Sequence, residues 1–127
     1  MELNDKKQGE CIPTIIRDKQ TETDTFFSED NTTDILFLKY LQDLIVCRYH
    51  EMPEGSYTTF LFRQGINRMA QKLGEEAIEM VIEATNGTRE RLISEASDFI
   101  YHLMVLLVGK NLGLEDLIRE LKKRHKV

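Results

Sequence analysis

The stretch GEEAIEMVIEATNGTRERLISEASDFIYH, residues 74–102, decides the fold because it contains two helical patterns separated by one turn. The pattern before the turn predicts a helix from Ile66 to Ala84. The pattern after it predicts a helix from Thr88 to Lys110, with Thr88 as the N-cap. The intervening TNGT is typical of a tight turn. We therefore expect an antiparallel helical hairpin.

The hairpin carries acidic residues on both of its helices. Residues three apart share a face of an α-helix, so Glu76 pairs with Glu79, and Glu95 pairs with Asp98. Counted outward from the turn, Glu79 comes level with Glu95, and Glu76 comes level with Asp98. Four carboxylates are therefore expected to converge on one place.

Such a cluster calls for a cation, because carboxylates this close together cannot all ionise cheaply. Oxygen ligands without a thiolate favour magnesium over zinc, with manganese as the alternative. Bound magnesium keeps several water ligands, and substrate phosphates often complete its coordination. The cluster therefore indicates a site of phosphate chemistry. The competing interpretation is a solvated acidic helix face, which is the usual setting of a single glutamate on an amphipathic helix.

The rest of the chain predicts an all-α bundle with an irregular N-terminal tail. Residues 1–32 are polar and irregular except for CIPTIIRD, a β-like run that contains Pro13. From Thr33 the pattern is helical, and a first helix ends near Pro53. PEGSYTTFLFRQG then predicts a connection with one helical turn, and LEDLIRELKKRH predicts a last helix.

Composition and charge limit the function classes. With 127 residues, 41% hydrophobic and 31% charged, the chain is long enough for one globular domain. Its net charge of −5 disfavours a nucleic-acid partner, since phosphate backbones would be repelled. The chain has no signal-like N-terminus, no apolar run long enough for a bilayer, and two cysteines that indicate neither a disulfide framework nor a structural zinc site. A cytoplasmic protein without a membrane partner is expected.

The same motifs resemble a known family. GEEAIEMVIEA followed by EASDFIYHLMVLL is similar to the E-E-x-x-E then E-x-x-D signature of the MazG-like all-α pyrophosphohydrolases. PEGSYTTFLF, QKLGEEAIE and the Tyr101-His102 pair narrow the resemblance to the phosphoribosyl-ATP pyrophosphatases, over roughly residues 33–125. The resemblance implies magnesium-dependent hydrolysis of phosphoribosyl-ATP to phosphoribosyl-AMP and pyrophosphate in histidine biosynthesis.

The resemblance also implies roles for the acidic residues. The implied magnesium ligands are Glu76, Glu79, Glu95 and Asp98. Glu75 beside them is a further ligand, an outer-shell partner or the base that orients a water molecule. Together with Glu76 and Glu79 it makes up the expected catalytic group.

Two basic residues are candidates for binding the substrate. Lys72 precedes Glu76 by four residues, so it either neutralises the acidic helix or binds a substrate phosphate. Arg48 near the end of the first helix either stabilises the helix C-terminus or binds a phosphate. The resemblance places the following PEGSYT loop at the substrate, which favours the phosphate for Arg48.

The loop and one histidine complete the candidates. Ser56, Tyr57 and Thr58 are candidate hydrogen-bond donors to ribose or phosphate, with a plain turn as the alternative. His102 follows Asp98 by four residues and is a candidate contact to the metal or substrate. A packed histidine with one satisfied nitrogen is the commoner case on an apolar helix.

The tail resembles part of a second domain. GECIPTIIRDKQTET is similar to the opening of the phosphoribosyl-AMP cyclohydrolase domain that precedes this pyrophosphatase in bifunctional enzymes, and DTFFSEDNTTDILFLKYL is similar to its end. Residues 1–32 are accordingly interpreted as a remnant and residues 33–127 as the pyrophosphatase domain. The zinc ligands of a cyclohydrolase are missing, so that activity is expected to be absent. The alternative is an unrelated tail.

Two other functions and one assembly follow from the same pattern. The chain could instead be a MazG-like house-cleaning hydrolase of nucleoside triphosphates, or a helical assembly module without catalysis. The hairpin and the apolar first helix present more hydrophobic surface than one chain can bury, so we expect a homodimer. The family resemblance implies the same assembly.

Overall fold

The computed structural model describes residues 31–125, and the side chains from residue 34 onward. These residues form five helices and no strand, which confirms the all-α prediction. The helices are α1 (Asn31–Glu51), α2 (Tyr57–Gln64), α3 (Ile66–Asn86), α4 (Arg89–Gly109) and α5 (Leu114–His125). Helix α1 begins two residues before the predicted Thr33, and the rest of the predicted tail, with Pro13, lies outside the described residues.

Side-chain caps set the start of two helices. The hydroxyl of Thr88 accepts a hydrogen bond from the Arg91 amide at 3.2 Å, which confirms the predicted N-cap of α4. The Ser56 hydroxyl accepts in the same way from the Thr59 amide, also at 3.2 Å, at the start of α2. Helix α2 has eight residues where the sequence predicted one turn, because Leu61 is buried and tertiary packing stabilises a short helix that would be marginal alone.

Helices α3 and α4 make the most extensive contact, and α1 and α2 pack against this hairpin. The core contains at least one side chain from each of these helices, including Ile45, Leu61, Met69, Met104 and Val105. Full burial of a side chain of this kind contributes about 1.5–3 kcal/mol. Gly65 joins α2 to α3 with a backbone φ of 89°, a conformation that residues other than glycine rarely adopt. The sharp change of direction there brings α2 against the hairpin.

Helix α5 is held mainly through its first turn. The buried Gln42 of α1 accepts a hydrogen bond from the Leu114 amide at 2.6 Å and donates one to the Glu115 carboxylate at 2.7 Å. Lys39 adds an ion pair to Glu115 at 3.1 Å. The apolar side chains further along α5 remain exposed, namely Leu117, Ile118 and Leu121.

One expectation from the sequence needs correction. Helix α4 has the length and apolar composition of a membrane span, although no apolar run of that length was expected. Tyr101, Met104 and Val105 of α4 lie in the core, so its apolar character is that of the central helix of a soluble bundle.

Candidate active site

Three glutamates meet between α3 and α4. Glu76, Glu79 and Glu95 each offer a carboxylate oxygen, and these oxygens all lie within 4.8 Å of one another. We call these residues the three-carboxylate group. Glu79 lies beside Glu76 on its own helix and beside Glu95 across the hairpin, and it can share a hydrogen bond with each when one carboxyl of the pair is protonated. The antiparallel register expected from the turn thus places Glu79 beside Glu95.

Burial distinguishes the three carboxylates. Glu76 is only 5% exposed, Glu95 is half-buried, and Glu79 is exposed. One buried oxygen of Glu76 and one of Glu95 have no hydrogen-bond partner among the described residues. Leaving a buried carboxylate oxygen unsatisfied is costly, so these two oxygens indicate a ligand.

The titration of the group reflects this crowding. Burial raises the pKa of Glu76 above its usual range, and the hydrogen bond with Glu79 raises it further. The hydrogen bond with Glu79 is the largest cause that raises the pKa of Glu95 to about 7, followed by burial and by nearby negative charge. Without a cation Glu95 therefore remains partly protonated near pH 7.

Asp98 lies beside the group rather than within it. Its negative charge contributes to the raised pKa values of Glu95 and Tyr57. The structure brings three of the four predicted metal ligands into one tight set, and Asp98 lies outside that set. A bound cation can draw in a neighbouring carboxylate of this kind.

Lys72 and Glu75 form the edge of the group on α3. The Lys72 ammonium lies 3.6 Å from a Glu75 oxygen and 3.5 Å from a Glu76 oxygen. Burial lowers the pKa of Lys72, but the negative charge of Glu76 and its neighbours leaves that pKa raised overall. Glu75 also accepts a hydrogen bond from Gln71 at 3.2 Å, and it lies outside the three-carboxylate group.

The three loop candidates occupy different environments. Ser56 is buried as the cap of α2, and Thr58 is fully buried in contact with the Tyr101 hydroxyl. Tyr57 is half-buried, and its hydroxyl oxygen lies 3.0 Å from Nε2 of His102. Of the three, Tyr57 has the most open surface toward a substrate.

Arg48 and His102 are both buried. Arg48 is 3% exposed near the end of α1, and His102 is 1% exposed on α4. Nδ1 of His102 lies 2.8 Å from the main-chain oxygen of Asp98, so both ring nitrogens have partners in the fold. The hydrogen bond between Tyr57 and His102 had no signal in the sequence, because 45 residues separate the two.

The donor set suits a hard divalent cation. It consists of carboxylate oxygens, two of which are buried without a partner among the described residues. Magnesium and manganese prefer such ligands, and Lys72 beside them can hold a phosphate. Fold and site together define a class, the all-α proteins in which a carboxylate group on a helical hairpin is suited to phosphate chemistry.

Comparison with known proteins identifies the family within this class. The sequence pattern of the phosphoribosyl-ATP pyrophosphohydrolases matches residues 38–125, and the chain belongs to this family. It is 61% identical over 105 residues to the histidine biosynthesis bifunctional protein HisIE of Bacteroides thetaiotaomicron, covering 83% of this chain and 52% of that relative.

Two further relatives show how the chain compares in length. The phosphoribosyl-ATP pyrophosphatase of Leptospira biflexa is 48% identical over 89 residues, which cover 70% of this chain and 97% of the relative. HisIE of Bacillus subtilis is 51% identical over 85 residues, which cover 67% of this chain and 41% of the relative. The chain thus spans about half the length of the bifunctional relatives it matches, and nearly all of the relative from Leptospira.

Proposed function

We propose that this chain hydrolyses phosphoribosyl-ATP to phosphoribosyl-AMP and pyrophosphate in histidine biosynthesis, as a cytoplasmic enzyme. The observation that carries the proposal is the three-carboxylate group, whose oxygens lie within 4.8 Å of one another in a member of this family. The Leptospira relative supports it, since a protein named phosphoribosyl-ATP pyrophosphatase is matched over 97% of its length. Water attacks the α–β phosphoanhydride, and the pyrophosphate leaves in one piece.

Magnesium is the proposed cofactor, with manganese as the alternative. Glu76, Glu79 and Glu95 would hold it, and we propose Asp98, whose charge acts on Glu95, as the fourth ligand. When bound, the ion neutralises phosphoryl charge and lowers the pKa of a bound water. The partnerless oxygens of Glu76 and Glu95 support this assignment.

The other candidates are assigned by their positions. The 3.5 and 3.6 Å separations of the Lys72 ammonium from Glu76 and Glu75 exceed a normal hydrogen bond, so this ammonium can turn toward a phosphate. Glu75 lies outside the three-carboxylate group, which favours an outer-shell or water-orienting role. Arg48 is buried near the end of α1, and we assign it to substrate binding through its positive charge.

The products test the proposed function directly. Incubating the protein with phosphoribosyl-ATP and magnesium should release pyrophosphate and phosphoribosyl-AMP, because the carboxylates and Lys72 hold the phosphates on either side of the α–β bridge. Phosphorus NMR distinguishes the products. Early orthophosphate with a diphosphate product would contradict the proposal.

A substrate panel provides the control for this experiment. Ordinary nucleoside triphosphates should be cleaved at least tenfold more slowly than phosphoribosyl-ATP, because they lack the second ribose phosphate. The loss of one contact worth about 1.4 kcal/mol in the transition state lowers the rate tenfold. Equal rates would indicate a general nucleotide hydrolase. No magnesium-dependent hydrolysis of any of them would indicate a helical module without catalysis.

We also propose that the chain forms a homodimer through the outer face of the hairpin. Ile78 is 63% exposed, Val81 57% and Ile82 53%, and on a helix these residues lie on the side away from Glu76. Ile93 of α4 is also exposed, at 55%. Apolar residues grouped in this way usually lie in an interface, and a second copy offers a matching face.

Light scattering at micromolar concentration should give the mass of a dimer. Val81→Asp should produce a monomer, because it would bury a charge in the interface, and a buried unpaired charge is strongly unfavourable. Ile118→Asp on α5 is the matched control, since Ile118 is 49% exposed but lies outside the hairpin. A monomeric wild type, or a monomer produced only by Ile118→Asp, would refute this interface.

We propose that the catalytic domain is residues 33–127 and that residues 1–32 are a remnant of a cyclohydrolase domain. Removing residues 1–30 should leave kcat within about twofold, since the family match begins at residue 38 and none of the candidate site residues precedes Arg48. The truncated and full-length proteins should be compared in pyrophosphate release and thermal melting. Loss of folding would show that the tail packs on the bundle.

A further inference from the structure

Arg68 on α3 is a charged side chain to which the proposed function gives no role. It is half-buried, and it makes no ion pair or hydrogen bond with the other residues that the structure describes. Its burial removes part of its hydration without a carboxylate to compensate, which favours an anionic ligand. The other unpaired lysine and arginine side chains of residues 34–125 are all exposed, namely Arg89, Arg91, Lys110, Lys122 and Lys123.

The helix places Arg68 in line with the three-carboxylate group. Arg68, Lys72 and Glu76 follow one another at four-residue steps, so they lie along one side of α3. Each step advances about 6 Å along the helix axis and turns about 40° around it. Glu79, eleven residues after Arg68, returns to within about 20° of it around the axis. We call these four residues the charged row of α3, and its basic end lies toward the start of the helix.

The charged row meets the candidate active site. The Lys72 ammonium lies 3.5 Å from an oxygen of Glu76, a member of the three-carboxylate group. Burial raises the pKa of Tyr57, and the charges of Glu76 and Asp98 also raise it, whereas the charges of Lys72 and Arg68 lower it. Both positive charges of the row thus act on the tyrosine that begins α2.

The proposed substrate carries a charge that matches the basic end of the row. Phosphoribosyl-ATP has a triphosphate at one end and the phosphate of a second ribose at the other. A ribose, a base and the second ribose separate the two, so they need separate positive charges. The three-carboxylate group and Lys72 are assigned to the triphosphate. Arg68 lies one helical turn beyond Lys72, on the side away from Glu76.

We infer that Arg68 binds the phosphate of the second ribose and thereby distinguishes phosphoribosyl-ATP from ordinary nucleoside triphosphates. The planar guanidinium can donate to two phosphate oxygens at once, and it is always charged. This inference rests on the proposed function for the identity of the substrate. The second phosphate is remote from the α–β bridge, so Arg68 binds it equally in the ground state and in the transition state.

Kinetics of Arg68 variants test this role. Arg68→Gln should raise the KM for phosphoribosyl-ATP roughly tenfold with kcat nearly unchanged, the effect of losing one charge-assisted contact away from the reacting bond. The preference for phosphoribosyl-ATP over ordinary nucleoside triphosphates should fall by the same factor. Arg68→Lys should recover most of the affinity, because it retains the charge.

The matched control is Arg89→Gln, which removes an exposed, unpaired arginine from the start of α4 and should retain the wild-type KM. An unchanged preference in Arg68→Gln would overturn the inference. A lower kcat with unchanged KM would overturn it as well.

Binding without turnover separates this inference from the proposed hydrolysis. In calorimetry without a divalent cation, the wild type should bind phosphoribosyl-AMP roughly tenfold more tightly than AMP, because only the former carries the second ribose phosphate. Arg68→Gln should remove this difference, with circular dichroism showing that the variant is folded. Equal affinities in the wild type would overturn the inference. If the wild type hydrolyses none of the substrates but Arg68→Gln still removes the difference, the proposed hydrolysis fails and the role of Arg68 stands.

Discussion

Replacing Glu76 with Gln should lower kcat roughly a thousandfold, as expected when a preorganised charge at a phosphoryl site is lost. Glu76 is 5% exposed and one of its oxygens has no partner among the described residues, so its charge is directed at a ligand. The fold should persist, because an amide has a similar shape and relieves repulsion by Glu79. Pyrophosphate release and circular dichroism measure the two effects.

The control for this variant is Glu83→Gln on the same helix. Glu83 lies outside the three-carboxylate group, so the kcat of the Glu83→Gln variant should stay within about twofold of the wild type. Asp98→Asn should resemble Glu76→Gln if a bound cation draws Asp98 into its coordination. Near-normal turnover of Glu76→Gln would rule out the proposed metal site.

Without a divalent cation, the protein should become less stable as the pH rises from about 4.5 to about 7. The lower limit is the usual pKa of a glutamate, and the upper limit is the pKa of Glu95 in the folded protein. In this window the folded state binds a proton that the unfolded state has released, so the free energy of unfolding falls with rising pH. The raised pKa of Glu76 acts in the same direction. We expect the melting temperature to drop by roughly 5 °C across the window.

Magnesium or manganese should reverse this loss at pH 7.5. A cation that binds only the folded state, at a free concentration of one hundred times its Kd, adds about 2.7 kcal/mol to the free energy of unfolding. Glu95→Gln should flatten the pH dependence and weaken the response to the cation, whereas Glu90→Gln, an exposed acid of the same helix, should preserve both. Stability that rises with pH through this window would show that the carboxylates are not crowded in solution.

Much of the fold and the centre of the site could be predicted because they depend on local rules. Helical periodicity and the Thr88 cap placed α3 and α4 to within two residues at each end. Two helices joined by a tight turn have a fixed register, so equal distances from the turn were enough to bring Glu79 beside Glu95. The sequence therefore determined the hairpin, its carboxylates and the family resemblance.

The docking of α1, α2 and α5 on the hairpin was decided by tertiary structure. It sets the eight-residue length of α2, the Gln42 contacts that hold α5, and the hydrogen bond between Tyr57 and His102 across 45 residues. It also determines which carboxylate oxygens are buried without a partner and how far burial raises the pKa of Glu76. Periodicity describes one helix at a time, whereas burial and long-range hydrogen bonds depend on how several helices pack together.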